Sequence, residues 1–78
     1  MDKVKLYTVS KLAKDCNISP SKVRYYVHED LISPIKRTEN NYMIFDESSR
    51  AKLTTIKQLR NQRMTIEEIK EYFRKVLG

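Results

Sequence analysis

Residues 8–30, TVSKLAKDCNISPSKVRYYVHED, constrain the fold of this chain more than any other segment. Thr8 is a residue type that caps helices, and the apolar residues after it recur at helical spacing, which predicts a first short helix. Asn17 interrupts that pattern. Ser19 and Pro20 then predict the start of a second helix, because serine caps and proline is tolerated at the first helical position. The segment therefore predicts a helix-turn-helix.

The two faces of these helices differ in composition. Apolar residues share one face of each helix and are expected to form the core: Val9, Leu12, Ala13, Cys16, Val23, Tyr26 and Val27. The second helix keeps polar and aromatic residues outside. A helix of this diameter fits the major groove of B-form DNA, where its N-terminal half meets the base edges. The candidates for this groove are Ser21, Lys22, Arg24 and Tyr25.

A small hairpin, or wing, is predicted after the second helix. Ser33-Pro34 ends the helical stretch, since the residue before a proline is disfavoured in the α region. Two short extended segments then flank residues 39–41, where asparagine tolerates the left-handed conformation of a tight turn. Lys36 and Arg37 lie on the first strand and Tyr42 lies across the turn. These three side chains are candidates for the DNA backbone; the alternative is a charged edge strand that deters aggregation.

Two more helices complete the prediction. Asp46 begins a third helix, with Ala51, Leu53, Ile56 and Leu59 expected toward the core. Thr65-Ile66-Glu67-Glu68 is a capping box that begins a fourth, whose apolar stripe comprises Ile66, Ile69, Tyr72 or Phe73, and Val76. The third helix is also assigned three candidate phosphate contacts, Lys57, Arg60 and Arg63. Of these three, Arg60 is the residue that we include in the predicted DNA-binding site. The fold class is mostly α, a winged helix-turn-helix in a single domain spanning residues 1–78.

Charge and composition narrow the function. The 78 residues carry a formal net charge of +6, which favours polyanionic partners. The single cysteine, Cys16, and the single histidine, His28, provide neither a disulfide nor metal-ligand spacing. Catalytic residues and cofactor motifs are not legible, and the chain shows no secretory or membrane-spanning segment. We therefore expect a cytoplasmic, non-enzymatic protein that needs no cofactor and does not bind membranes.

The motifs resemble the DNA-binding domain of MerR-type bacterial transcription regulators. The similarity runs from Tyr7 to about Phe73, through YTVSKLAKDCNISPSKVRYYVHEDLISP, NYMIF and RAKLTTIKQLRNQRMTIEEIKEYF. It implies a winged helix-turn-helix used as a dimer on a palindromic operator, which the family twists or bends when an effector binds. It also implies DNA contacts by Arg24 and Tyr25 of the second helix, and backbone contacts by Tyr42 and Arg60.

The chain departs from the family pattern at several positions. Val27 replaces the usual acidic residue, Met43 replaces a wing arginine, and Arg63 replaces the usual glycine between the last two helices. The sequence ends at Gly78, whereas the family continues into a long dimerisation helix. We therefore expect one of two cases. The chain is either a DNA-binding domain of a longer protein, which would form a homodimer in that full-length context, or a naturally short relative.

Two rival functions follow from the same residues. An excisionase-like architectural factor would use the same surface to bend DNA without regulating transcription. A protein-binding module would instead use the apolar side of the fourth helix, formed by Ile69, Phe73 and Val76. The exposed face of the second helix, which we call the recognition helix, the basic wing and the net charge together favour double-stranded DNA as the partner.

Overall fold

The structure, a computed structural model, describes residues 4–77, with side chains through residue 76. Its elements are β1 (Tyr7–Thr8), α1 (Val9–Cys16), α2 (Pro20–His28), β2 (Lys36–Arg37), β3 (Met43–Phe45), α3 (Glu47–Asn61) and α4 (Ile66–Leu77). The predicted mostly α winged helix-turn-helix is confirmed. Nothing among the described helices is long and apolar enough to cross a membrane.

The wing is part of a three-stranded antiparallel sheet with strand order β1-β3-β2. The sequence predicted β2 and β3, which flank the turn signal at residues 39–41, but not β1, because β1 has only two residues and no turn beside it that marks a hairpin. Tyr7 of β1 pairs with Phe45 of β3, and both side chains are buried. The Tyr7 hydroxyl donates to Glu47 Oε1 at 2.7 Å, which raises the pKa of Tyr7. β1 thereby fastens the wing to the start of α1 and to α3.

The core draws on every helix and on the sheet, through Tyr7, Leu12, Ala13, Cys16, Val23, Tyr26, Leu31, Ile32, Phe45, Leu53, Ile56 and Ile69. One core expectation, that for Ala51, is corrected, and the apolar stripe of α4 is buried only in part: Ile66 and Phe73 pack against the core. Ala51 is exposed, while Tyr72 is 38% and Val76 is 59% exposed. The reason is an open cleft of about 340 Å³ between α3 and α4, which these three residues line. Ile69, fully buried, is the residue of α4 that enters the core.

All four predicted helix starts are confirmed. The hydroxyls of Thr8 and Ser19 accept hydrogen bonds from the backbone N–H groups three residues later, at 3.1 and 3.2 Å. Asp46 Oδ1 accepts from the backbone N–H groups two and three residues later. In the capping box, Glu68 N–H donates to Thr65 Oγ1 at 3.1 Å and Thr65 N–H donates to Glu68 Oε1 at 2.8 Å. Side chains thus satisfy the N–H groups that each helix start leaves free.

Three helices end on the same backbone motif. Asn17, Asp30 and Arg63 adopt left-handed conformations with φ of 56°, 61° and 66°. The residue after each donates its N–H to the carbonyl five positions back, at 2.9–3.1 Å, as in a Schellman motif. Those following residues are all apolar and buried or half-buried: Ile18, Leu31 and Met64. Each helix therefore stops where the chain turns an apolar residue back onto the core.

Arg63 is the costly member of this set. Asparagine and aspartate visit the left-handed region more readily than other residues, whereas the Cβ of an ordinary L-residue costs about 1–2 kcal/mol there. Glycine is the usual choice, but the one glycine in the sequence is Gly78. Arg63 also lies beyond α3, which ends at Asn61, so its assignment to the third helix was wrong.

Replacing Arg63 by glycine should stabilise the protein. Glycine removes the left-handed penalty of about 1–2 kcal/mol, and its extra freedom in the unfolded chain offsets about 0.5–1 kcal/mol of that gain. We expect the free energy of unfolding of Arg63→Gly to exceed that of Arg63→Ala by about 0.5–1 kcal/mol, measured by urea denaturation. Arg63→Ala is the matched control, because it removes the same charge and keeps Cβ. Equal stabilities would contradict the prediction.

An ion pair joins α4 to the end of α2. Lys70 Nζ lies 2.9 Å from Glu29 Oε1, and both side chains are partly exposed. The hydrogen bond from Lys70 lowers the pKa of the Glu29 carboxyl. The same hydrogen bond raises the pKa of Lys70. A carboxylate at a helix C-terminus is unfavourable on its own, so the lysine offsets the position of Glu29.

The contribution of this ion pair to the free energy of unfolding depends on pH. Because the folded-state pKa of Glu29 is lowered, its contribution is present above the ordinary value of 4.5 and is lost as pH falls through the lower folded pKa. We expect Glu29→Gln to be less stable than the unchanged protein at pH 7, with the difference shrinking as pH falls below 4.5. Thermal melts of both proteins across pH 2–7 measure this. A difference that stays constant with pH would argue against the ion pair.

Candidate nucleic-acid interface

The outward face of α2 is exposed as predicted. Its proline and the Ser19 cap fix the helix start, and Ser21, Lys22, Arg24 and Tyr25 all lie on the surface. Tyr26 is buried, as the prediction of a core role required, and its ring lies 5.4 Å from that of Tyr25 at an angle of 57°. The Tyr25 side chain, 44% exposed, is therefore partly packed against a buried aromatic neighbour and partly open to solvent.

A groove of about 550 Å³ brings the recognition helix and the wing together. Arg24 of α2 lines it together with Arg37 and Tyr42 of the wing. Arg37 Nη1 donates to the carbonyl of Asn41 at 3.3 Å, and the N–H of Tyr42 donates to Thr38 Oγ1 at 3.1 Å. These bonds hold the wing turn in one shape. Three of the predicted site residues thus meet at one groove although they are far apart in sequence.

Lys36 lies apart from this cluster. It pairs with Ile44 across the sheet, whereas Arg37 pairs with Met43. Successive side chains of a strand point to opposite faces, so Lys36 is directed away from Arg37. It is exposed on the edge strand and is not among the residues that line the groove. Any contact that Lys36 makes with a partner is separate from those of Arg24, Arg37 and Tyr42.

Sequence reasoning missed several residues that line the same groove. Thr8 and Ser10 enter it from the start of α1, and Thr38 and Asn41 enter it from the wing. Thr8 was predicted only as a helix cap. It reaches the wing because β1 pairs with β3, with Thr8 opposite Ile44. A helix N-terminus carries a partial positive charge, so α1 adds to the favourable potential for an anion in this groove.

A second cleft, of about 280 Å³, lies on the other side of α2, between the start of that helix and α3. Lys22 and Arg60 both line it, together with Ser19 and Lys57. Arg60 Nη1 donates to the carbonyl of Met64 at 2.9 Å. That bond uses one of the five N–H donors of the guanidinium and leaves the others available. The structure thus brings Arg60 close to the recognition helix, as a backbone contact beside that helix requires.

Lys57 has a role within the chain. Its Nζ donates to the carbonyls of Cys16 and Asn17 at 3.2 and 3.4 Å. These carbonyls end α1, where a cation is favoured by the helix dipole. Lys57 therefore holds α3 against the turn of the helix-turn-helix.

Cys16 belongs to the core, as predicted. Its side chain is 7% exposed, and its Sγ lies 3.9 Å from the carbonyl of Arg50. Burial raises the pKa of the thiol, which keeps it in the protonated, unreactive form. In the part of the chain that the structure describes, no cluster of three His, Cys, Asp or Glu side chains is placed to hold a metal ion.

The two clefts flank α2 and share one electrostatic character. Within residues 4–77, their lining includes arginine and lysine side chains but no aspartate or glutamate. Cations without carboxylates attract a polyanion, while tyrosine and serine hydroxyls at the same surface can bond to phosphate oxygens. The arrangement has the chemistry of a surface that binds a nucleic-acid backbone on both sides of an exposed helix.

Comparison with known proteins defines the class. A family model described as "MerR HTH family regulatory protein" matches residues 7–76, so this chain belongs to the MerR family of helix-turn-helix regulators. It is 29% identical over 66 residues to the HTH-type transcriptional regulator ZntR of Escherichia coli (strain K12), covering 85% of this chain and 47% of ZntR. The chain thus spans about half the length of the curated relatives it matches.

Two solved structures are similar in fold and sequence. HiNmlR, described as a MerR family regulator lacking the sensor domain and bound to promoter DNA, superimposes with a TM-score of 0.83 at 26% identity, covering 94% of this chain and 55% of that one. The transcription regulator PbrR691 from Ralstonia metallidurans, in complex with lead(II), superimposes with a TM-score of 0.78 at 28% identity, covering 87% and 53%.

The internal role of Lys57 predicts a loss of stability on mutation. Lys57→Met keeps the aliphatic stem but removes both hydrogen bonds to the end of α1. We expect the free energy of unfolding to fall by about 1.5 kcal/mol, the lower end of the range for hydrogen bonds to charged groups, because the ammonium is partly solvated. Lys22→Met is the control, since it removes an exposed cation of the same cleft and should change stability by less than about 0.5 kcal/mol. Equal losses in urea denaturation would contradict this role.

Proposed function

We propose that this chain is the DNA-binding domain of a bacterial MerR-type transcription regulator and binds double-stranded DNA with sequence specificity. The supporting observation is the convergence of Arg24 from α2 with Arg37 and Tyr42 from the wing at one groove, which within residues 4–77 has no acidic lining. Membership of the MerR family and the likeness to a regulator described as bound to promoter DNA support the same function.

The exposed face of α2 is proposed to enter the major groove. Arg24 can pair bidentately with guanine, a contact that discriminates against a wrong base by roughly 1–3 kcal/mol. Tyr25 is proposed to donate its hydroxyl to a phosphate, and the nearby Tyr26 ring, at 5.4 Å, supports its orientation. Ser21 and Lys22, in the first turn of the helix, are the remaining contacts on this face.

Four further residues are proposed to hold the DNA backbone on both sides of α2. Arg37 and Tyr42 do so from the groove beside the wing, and Arg60 does so from the cleft beside α3. Lys36, on the edge strand, reaches the flanking backbone from the opposite face of the sheet. Such contacts fix the position of the protein on the duplex but carry no sequence information directly.

The proposal extends to the protein in its cell. It is cytoplasmic and not an enzyme, in line with relatives that are transcriptional regulators. In a longer context it works as a homodimer on two half-sites, about 34–36 Å apart on one face of the duplex.

The test is fluorescence-anisotropy titration of a duplex obtained by random-site selection and of its scramble, across a series of salt concentrations. A DNA reader binds the selected duplex much more tightly, with an affinity that falls steeply as salt rises. A dimer that neutralises six to ten phosphates would lose about 10³–10⁵ in affinity between 50 and 200 mM salt, and a single domain would lose less. Weak, salt-independent and equal binding to both duplexes would refute the proposal.

Two substitutions should separate base reading from backbone binding. Arg24→Ala should reduce the preference for the selected duplex over its scramble by about 1–3 kcal/mol, because a base contact is lost. Lys36→Ala should weaken binding to both duplexes alike and reduce the salt slope by about one. The same titrations measure both effects. If each variant lost affinity equally on the two duplexes, the division of roles between Arg24 and Lys36 would be wrong.

A further inference from the structure

Resting on the DNA-binding function proposed above, we propose that Arg63 is a further phosphate-binding residue, in the turn between α3 and α4. It is separate from the eight DNA contacts already named. The proposal rests on the conformation of its backbone, on the surroundings of its side chain and on its position beside Arg60.

The backbone of Arg63 is held in a conformation that disfavours arginine. Its N–H donates to the carbonyl of Arg60 at 2.9 Å, and the N–H of Met64 donates to the carbonyl of Leu59 at 3.1 Å. The half-buried Met64 packs against the core and so anchors the turn on its inner side. A φ of 66° at Arg63 follows from these constraints. Glycine would satisfy the turn at lower cost, so the arginine is not explained by local folding.

The side chain of Arg63 adds nothing evident to the packing of the domain. It is exposed, and it forms no ion pair with the described residues 4–77. The nearest carboxylates in sequence have other partners: Glu67 lies 3.7 Å from Lys70, and Glu68 caps the start of α4. The Arg63 guanidinium is therefore a solvated cation on a rigid turn, and its natural counterion is an anion from another molecule.

The position of the turn identifies that anion. Arg60 Nη1 donates to the carbonyl of Met64, the residue after Arg63, so both arginines are attached to one turn. Arg60 also lines the cleft beside the start of α2, together with Lys22. Arg63 does not itself line this cleft, but its N–H donates to the carbonyl of Arg60, so a DNA backbone held by Arg60 would lie beside a turn that carries a second guanidinium for a neighbouring phosphate. A strained residue of this kind is typical of a functional position.

The experiment compares Arg63→Gln with Arg63→Lys in salt-dependent anisotropy titrations on a mixed-sequence duplex. Loss of one phosphate contact should lower the slope of log affinity against log salt by about 0.9 and weaken binding roughly eightfold at 0.1 M salt. Arg63→Lys keeps the charge and should keep most of the slope. Arg63→Gly should bind as weakly as Arg63→Gln although its fold is more stable, which separates DNA binding from stability.

Lys75→Gln is the matched control, because it removes an equal charge from the exposed last turn of α4. It should leave the slope within about a third of a unit of the unchanged protein. If the unchanged protein shows a steep slope and Arg63→Gln leaves it intact, the role of Arg63 is overturned while the DNA-binding function stands. If Lys75→Gln lowers the slope as much as Arg63→Gln, bulk charge rather than a local contact is responsible. Salt-independent binding by the unchanged protein overturns both the function and this inference.

Discussion

The geometry of the candidate DNA-binding surface depends on the pairing of β1 with β3. A two-stranded hairpin as short as β2–β3 is marginal in water on its own. Tyr7 and Phe45, both buried and directly opposite each other, add a third strand and join the wing to the core. Because β1 runs directly into α1, the same pairing brings the first turn of that helix to the wing. This pairing, together with the burial of Phe45 in the core, holds the wing beside α2, where Arg24, Arg37 and Tyr42 share one groove.

The placement of the acidic residues contributes to the positive character of the two clefts beside α2. Several carboxylates are engaged in structural contacts: Asp46 and Glu68 cap helices, Glu29 pairs with Lys70, and Glu47 accepts from Tyr7. The hydrogen bond from the Ser48 hydroxyl holds the pKa of Asp46 below its ordinary value, so that cap keeps its charge. Carboxylates used in this way are placed at helix ends and at the α2–α4 contact. The two clefts beside α2 are left with cations and hydroxyls, which makes charge placement more informative than net charge.

The helix ends show how the fold tolerates a sequence with one glycine. Asn17, Asp30 and Asn41 occupy left-handed positions that their short polar side chains make accessible. Arg63 does so without that advantage, and its turn is held by hydrogen bonds and by the packing of Met64. The fold therefore accepts a local conformational cost at one exposed turn.

The sequence by itself determined the local structure. Helix starts at Thr8, Ser19, Asp46 and Thr65 were predictable because a capping side chain and the N–H it satisfies lie within three residues of each other. The exposed face of α2 followed from helical spacing for the same reason. The tertiary structure alone decided the rest, because it depends on contacts between residues distant in sequence. These are the pairing that makes β1 a strand, the open cleft that leaves Ala51 and Val76 exposed, and the bonds from Lys57 to Cys16 and Asn17 across about forty residues. Spacing along a chain shows which side chains share a face, but only packing shows which faces meet.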